Sequence, residues 1–266
     1  MQYLSEDFAK HLPEGDLFET LQSMQGEVYR EVKGRKTLQF TLGGKSFFVK
    51  NHLGVGWGEI LKNLVLLRLP ILGAENEWRA IDKLKSLGLA TMTSVAYGSR
   101  GWNPARRQSF IVTEDLLDTI SLEDYCKEWQ QSPPEFSLKQ RLLSKIAKCS
   151  RTLHNGGVCH RDYYLCHFLM PKNESESTTG QAPELYMIDL HRALIKNPLA
   201  TRWIVKDISG LLYSAMDIGL TQRDYYRFIR LYDGLSLREA LTKNAMFWNS
   251  VSKRANAMHK KLGPVK

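Results

Sequence analysis

Two short stretches constrain this chain more than any other part of it. In Cys159-His160-Arg161-Asp162-Tyr163-Tyr164-Leu165-Cys166-His167-Phe168-Leu169 a charged triplet leads directly into an apolar run. In Met187-Ile188-Asp189-Leu190-His191 a second aspartate follows another short apolar run. Short apolar runs bounded by polar residues read as strands, here 166–170 and 185–189, and the polar, Ser/Thr-rich stretch 171–183 between them reads as a surface loop.

The rest of the chain must accommodate that pair. With 266 residues, 43% of them hydrophobic, it can bury a core as one large domain or two lobes. Its four cysteines (Cys126, Cys149, Cys159, Cys166) make no C-x-x-C pair and read as reduced thiols. The N-terminus lacks a cationic-then-apolar signal pattern. The most apolar segment, 60–72, is interrupted by Lys62, Asn63, Arg68 and Pro70, which excludes a membrane span there. A soluble or peripheral protein is therefore expected. The net charge of +9 points to an anionic partner, although general basicity explains it equally well. The basic C-terminal end (Lys253, Arg254, Lys260, Lys261) reads as a solvated helix face, not a nucleic-acid arm.

In chain order, 1–25 carries one short helix near 16–24. Residues 28–32, 37–42 and 45–50 then alternate as a three-strand meander, with Gly43-Gly44 as a two-residue hairpin turn. The turn before the second strand holds Lys33, Gly34, Arg35 and Lys36. An amphipathic basic helix is predicted over 59–68 and another over 74–87, where Glu77, Ile81 and Leu84 share a face. Strands follow at 91–97 and 109–113. Beyond Pro133-Pro134 comes a long helix whose stripe Leu138, Leu142, Ile146, Cys149, Leu153 reads as core and nothing more. A further apolar helix reaches Met216, with Asp207 near its front, and the remainder is helical.

This order of elements matches the protein-kinase pattern, in which the catalytic loop reads H-R-D-L-x-x-x-N and a later aspartate binds magnesium. On that pattern Asp162 is the base for an attacking hydroxyl, Asp189 the metal ligand, and His167 stands where kinases carry asparagine. Lys50 closes the third strand and grips phosphates, with Glu77 as its partner and Glu75 as runner-up. Glu114 carbonyl and Leu116 amide are placed at the adenine hinge. Lys33 and Arg35 are candidates for covering the phosphates, although an ordinary basic hairpin tip is the simpler reading. Asp207 is read as a structural acid tying the catalytic loop's backbone. No cation follows Asp162, so Arg192 is assigned to the transferring phosphate. The expected fold is α+β and two-lobed: an N-terminal antiparallel sheet with one main helix over 1–115, and a mostly helical lobe over 116–266. A zinc site at Cys159, His160, Cys166 and His167 is disfavoured by spacing.

Several stretches resemble the bacterial lipopolysaccharide core heptose(I) kinases. They are Gly73-Ala74-Glu75-Asn76-Glu77-Trp78, Ile111-Val112-Thr113-Glu114-Asp115-Leu116, the His160–Leu169 run, Ile188-Asp189-Leu190-His191-Arg192-Ala193 and Asp217-Ile218-Gly219-Leu220-Thr221. The resemblance implies an ATP- and Mg2+-dependent enzyme acting on the first heptose of lipid A–core at the cytoplasmic face of the inner membrane. It carries over Lys50 as the ATP lysine, Asp162 as the base and Asp189 as the metal ligand, with His167 near the metal. It also implies association with acyl carrier protein. Relatives usually have Cys after the catalytic aspartate; this chain has Tyr163. A protein (tyrosine) kinase is the alternative, sharing the same catalytic residues.

Overall fold

The computed structural model describes residues 2–32, 34–54, 56–65, 73–174 and 182–265. The chain divides into two units, Met1–Asp82 with Met92–Leu117 and Leu190–Arg192, and Lys83–Thr91 with Asp118–Asp189 and Ala193–Lys266.

The first unit runs β1 (Gln2–Leu4), α1 (Glu6–Ala9), α2 (Leu17–Ser23), β2 (Glu27–Val32), β3 (Arg35–Leu42), β4 (Lys45–His52), α3 (Gly56–Val65), α4 (Glu75–Ser86), β5 (Ser94–Arg100) and β6 (Gln108–Glu114); the last residues of α4 are counted with the second unit. Its six strands form one antiparallel sheet in the order β1-β5-β6-β4-β3-β2. Gly43 (φ 57°) and Gly44 (φ 78°) make the β3–β4 turn, in which both central residues need positive φ.

Strand alternation assigns each side chain to a face. Leu38, Val49, Val112 and Ala96 lie in register across four strands and face the apolar core. Phe8 of α1 meets Phe47 edge-on at 5.0 Å, and Phe18 of α2 meets Phe110 at 4.7 Å. Each such buried aromatic contributes about 1.5–3 kcal/mol through burial. The neighbouring row, Thr37, Lys50, Ile111 and Tyr97, must face the other way. There Trp78 of α4 stacks on Tyr97 with ring centroids 4.7 Å apart.

The second unit contains β7 (Thr119–Ser121), α5 (Leu122–Cys126), α6 (Phe136–Asn155), β8 (Val158–Cys159), β9 (Phe168–Pro171), β10 (Tyr186–Met187), β11 (Leu194–Ile195), α7 (Thr201–Ser214), α8 (Gln222–Asp233), α9 (Leu237–Lys243) and α10 (Ala245–Leu262). Two small sheets, β10-β9-β7 and β11-β8, frame the loops that follow β8 and β10. Ile208, Trp248 and Val251 form the buried centre between α7 and α10. At the start of α8, Asp224 accepts hydrogen bonds from the Thr221 backbone N–H at 2.9 Å and from its hydroxyl at 2.8 Å, closing a capping box.

Four details differ from the sequence expectations. Residues 1–25 supply β1 and α1 as well as the expected helix, so the sheet has six strands where five were expected. Residues 165–167 form a 3-10 turn, and β9 starts only at Phe168; Cys166 is half-buried in that turn, not inside a buried strand. The basic helix begins earlier than expected, at Gly56, and 66–68 lie outside the described residues. The stripe of α6 is more than core: Leu142 and Ile146, with Leu211, Ala215, Phe228 and Ile229, line a cavity of about 360 Å³.

Candidate active site

In the first unit, register and helix phase bring two charges together. Lys50 projects from the β4 face opposite the apolar core, and Glu77 occupies the first turn of α4. Lys50 Nζ donates to Glu77 Oε1 at 2.6 Å, with the lysine side chain 15% exposed and the glutamate 1%. The runner-up, Glu75, is engaged elsewhere, with Arg79 at 2.6 Å and Arg107 at 3.5 Å. One strand position pair further along the same face, Arg35 and His52 lie opposite each other. His52 is buried, and burial, reinforced by Arg35, Lys50 and His191, pushes its pKa down to about 3, so the imidazole is neutral at physiological pH. Sequence reading passed over His52, although its spacing of two from Lys50 put it on the Lys50 face.

The turn Leu190–Arg192 also belongs to this unit, and Asn76 Nδ2 of α4 holds it by donating to His191 O at 2.8 Å. Arg192 is half-buried in that turn. Glu114 ends β6 opposite Phe47, and its N–H donates to Thr93 O at 2.8 Å. Between Glu114 and the half-buried Leu116, Asp115 Oδ2 accepts from Gln39 Nε2 at 2.7 Å and Ser46 Oγ at 2.8 Å, which fixes this stretch of backbone. Lys33 lies outside the described residues.

In the second unit the His-Arg-Asp loop is clamped from beneath by α7. Asp207 Oδ2 accepts from the His160 backbone N–H at 2.6 Å, and Oδ1 accepts from that of Arg161 at 2.8 Å. This clamp offsets the cost of Arg161's left-handed conformation, φ 72°. Burial acts to raise the Asp207 pKa, but hydrogen bonding to His154 and the nearby imidazoles prevail and hold it below the usual carboxylate value. His154 itself is fixed by Tyr232, its Nδ1 lying 2.8 Å from the tyrosine hydroxyl. His160 Nε2 donates to Ile188 O at 2.9 Å, joining this loop to the segment that ends in Asp189 (φ 60°).

His167 joins the two aspartates. Its Nδ1 donates to the Asp162 carbonyl at 2.6 Å, which assigns the ring proton to that nitrogen, and its Nε2 lies 3.6 Å from Asp189 Oδ2. Nε2 and the Asp189 carboxylate oxygen thus face each other, an arrangement that a bound cation would stabilise. The Asp189 carboxylate fits a hard cation that takes its remaining ligands from phosphate oxygens and water, as magnesium does, with the His167 imidazole beside it. Among the described residues no three His, Cys, Asp or Glu side chains are grouped as a metal cage. The zinc reading loses its donors to other partners, because Cys159 Sγ donates to Trp203 O and His160 Nε2 to Ile188 O. Tyr163 points into the core: it is 1% exposed, with its hydroxyl 2.9 Å from Ser150 Oγ.

A strand lysine held by a helix glutamate, followed by a helical unit with a clamped His-Arg-Asp loop, is the arrangement of the protein-kinase-like phosphotransferases. Known proteins narrow the class. The profile of the lipopolysaccharide kinase (Kdo/WaaP) family matches residues 19–232, and the chain belongs to this family. It is 44% identical over 262 residues to the lipopolysaccharide core heptose(I) kinase WaaP of Pseudomonas aeruginosa, covering 98% of this chain and 97% of that one. It is 46% identical over 242 residues to the protein of the same name from Escherichia coli K12, covering 90% of each. A solved structure described as WaaP in complex with acyl carrier protein superposes with a TM-score of 0.84 at 40% identity, covering 97% of this chain and 98% of that one.

Proposed function

We propose that this chain transfers the γ-phosphoryl group of ATP to the first heptose of the lipopolysaccharide inner core. The observation that carries this reading is its likeness, at 44–46% identity over at least 90% of the chain, to kinases named for that acceptor, combined with its own Lys50, Asp162 and Asp189. That likeness favours the heptose over a protein tyrosine as acceptor.

Phosphoryl transfer relies on positioning and charge neutralisation. Lys50, kept in place by Glu77, would bind the α- and β-phosphates, with Arg35 and Lys33 as further phosphate contacts. Backbone groups of Glu114 and Leu116 would hold the adenine. Asp162, in a loop held by Asp207 and His167, would orient the heptose hydroxyl and accept its proton. Asp189, with His167 beside it, would hold magnesium, which when bound neutralises phosphate charge. Arg192 would stabilise the charge that develops on the transferring group.

The acceptor reading also places the protein at a membrane, because this substrate is carried on a lipid anchor. Among the described residues no helix is long and apolar enough to cross a bilayer, so the proposed association is peripheral. Acyl carrier protein is the proposed partner, as in the solved relative. The cavity of about 360 Å³ lined by α6, α7, α8 and α10 supports that reading, because it is apolar and large enough to take part of an acyl chain.

The functional reading is tested by mass spectrometry of core oligosaccharide from cells with and without the gene. Loss of one phosphate from the first heptose is expected on deletion, with return on complementation. Unchanged core phosphorylation would overturn the assignment.

A further inference from the structure

The first unit exposes an apolar stripe that its own core does not use. On α3, Trp57, Leu61 and Val65 are 54%, 57% and 82% exposed, while Ile60 is 6% exposed and turned into the protein. A spacing of four confines the three exposed side chains to an arc of roughly 80° on one side of the helix. Single exposed apolar residues are ordinary, but three aligned on a ten-residue helix are not.

A second element lies beside the start of the helix. The N–H of Gly56, the first residue of α3, donates to Ala105 O at 2.9 Å, tying the helix to the loop between β5 and β6. Gly54 packs closely against the same carbonyl. At the tip of that loop Trp102 is 94% exposed. Exposed cations flank both elements, Lys62 on α3 and Arg106 in the loop. Tryptophan with aliphatic residues on one face and basic residues at the margins is the composition of a surface that lies in the headgroup region of an anionic bilayer.

We propose that α3 and the β5–β6 loop dock this protein on an anionic lipid leaflet, with Trp57, Leu61, Val65 and Trp102 entering the headgroup layer and Lys62 and Arg106 meeting lipid phosphates. Charge complementarity argues for this occupant, since the exposed Lys62 and Arg106 sit beside the apolar side chains in a chain that carries +9 overall. The inference deepens the proposed action on a lipid-borne acceptor and rests on that reading for its purpose. It does not rest on that reading for its test.

The test uses the full-length protein and unilamellar vesicles, either mixed phosphatidylglycerol and phosphatidylethanolamine or phosphatidylcholine alone, with binding read by co-flotation. Wild type is expected to bind the anionic vesicles in a salt-sensitive manner. The triple variant Trp57→Gln, Leu61→Gln, Val65→Gln should bind at least about tenfold more weakly, and Trp102→Gln should add to the loss. An unchanged melting temperature and unchanged turnover of delipidated core oligosaccharide would show that the variants are folded. Quenching of tryptophan fluorescence by brominated lipid, lost in part in Trp57→Phe and Trp102→Phe, would locate the contact. Failure of wild type to bind, or binding by the triple variant within twofold of wild type, would overturn the proposal. So would a triple variant that loses self-association or a protein partner while still floating with lipid. A protein that binds vesicles but phosphorylates no core sugar would sink the functional reading alone; one that phosphorylates soluble core but binds no vesicle would sink the docking surface alone.

Discussion

Asp207 grips His160 by its backbone: Oδ2 of the helix aspartate lies 2.6 Å from the His160 amide nitrogen, while the other carboxylate oxygen holds Arg161. The His-Arg-Asp loop is thus fastened to α7 through the peptide groups of His160 and Arg161. Asp207→Ala orphans two amide donors and should cost about 3 kcal/mol of stability, with turnover falling more than tenfold. Denaturant unfolding together with kcat measures both. Wild-type stability in Asp207→Ala would show that the clamp is dispensable.

The pair formed by Lys50 and Glu77 separates structure from chemistry. Lys50→Met leaves a carboxylate of 1% exposure without its ion-pair partner, which should cost roughly 3–5 kcal/mol. Adding Glu77→Gln should restore most of that stability. Activity should stay low in the double variant, because the cation proposed to bind phosphate is still missing. A double variant that regained activity would show that Lys50 is structural only.

His167 bridges the backbone carbonyl of Asp162 and the carboxylate of Asp189. His167→Ala removes its hydrogen bond to the Asp162 carbonyl and the imidazole beside Asp189, and should lower kcat roughly 10–100-fold. The magnesium concentration for half-maximal rate should rise as well. His167→Asn, which restores the residue that protein kinases use there, should lose less. Equal activity in all three proteins would remove His167 from the site.

Asp224 makes stability depend on acid. Burial opposes its charge, but the Thr221 backbone and hydroxyl hydrogen bonds and Lys139 prevail and lower its pKa from 3.8 to about 2. A carboxyl depressed by folding stabilises the protein above its unfolded pKa, and that contribution disappears as pH falls through the folded value. Between pH 3.8 and about 2 the protein should therefore lose about 2 kcal/mol from this group. In Asp224→Asn the loss over that window should be smaller by about that amount, as acid titration of the unfolding free energy will show.

Much of this was legible in the sequence because period determines face. Alternation around Lys50 marked β3 and β4, Gly43-Gly44 marked their turn, and the spacing of Glu77, Ile81 and Leu84 turned the glutamate toward the lysine. The tie from Asp207 to the loop backbone was readable from its place in an apolar helix. What stayed hidden depends on pairing and side-chain contacts that periodicity does not encode. β1 is three exposed residues whose only strand character is pairing with β5, so it has no alternation to betray it. The 3-10 turn at Leu165–His167 is closed by the His167 N–H on Tyr164 O and accompanied by the His167 side-chain bond to Asp162, neither of which an apolar run can announce. The cavity lies behind a stripe that reads simply as core, since sequence spacing says which residues face inward and not how completely they fill the space.

The account is tested most directly by incubating the purified protein with γ-labelled ATP, magnesium and purified unphosphorylated core oligosaccharide, beside its Asp162→Asn variant. Label should appear on the first heptose with wild type, and the variant should be slower by about 10²–10⁴-fold. Label confined to polypeptide, or an Asp162→Asn variant within twofold of wild type, would contradict the account.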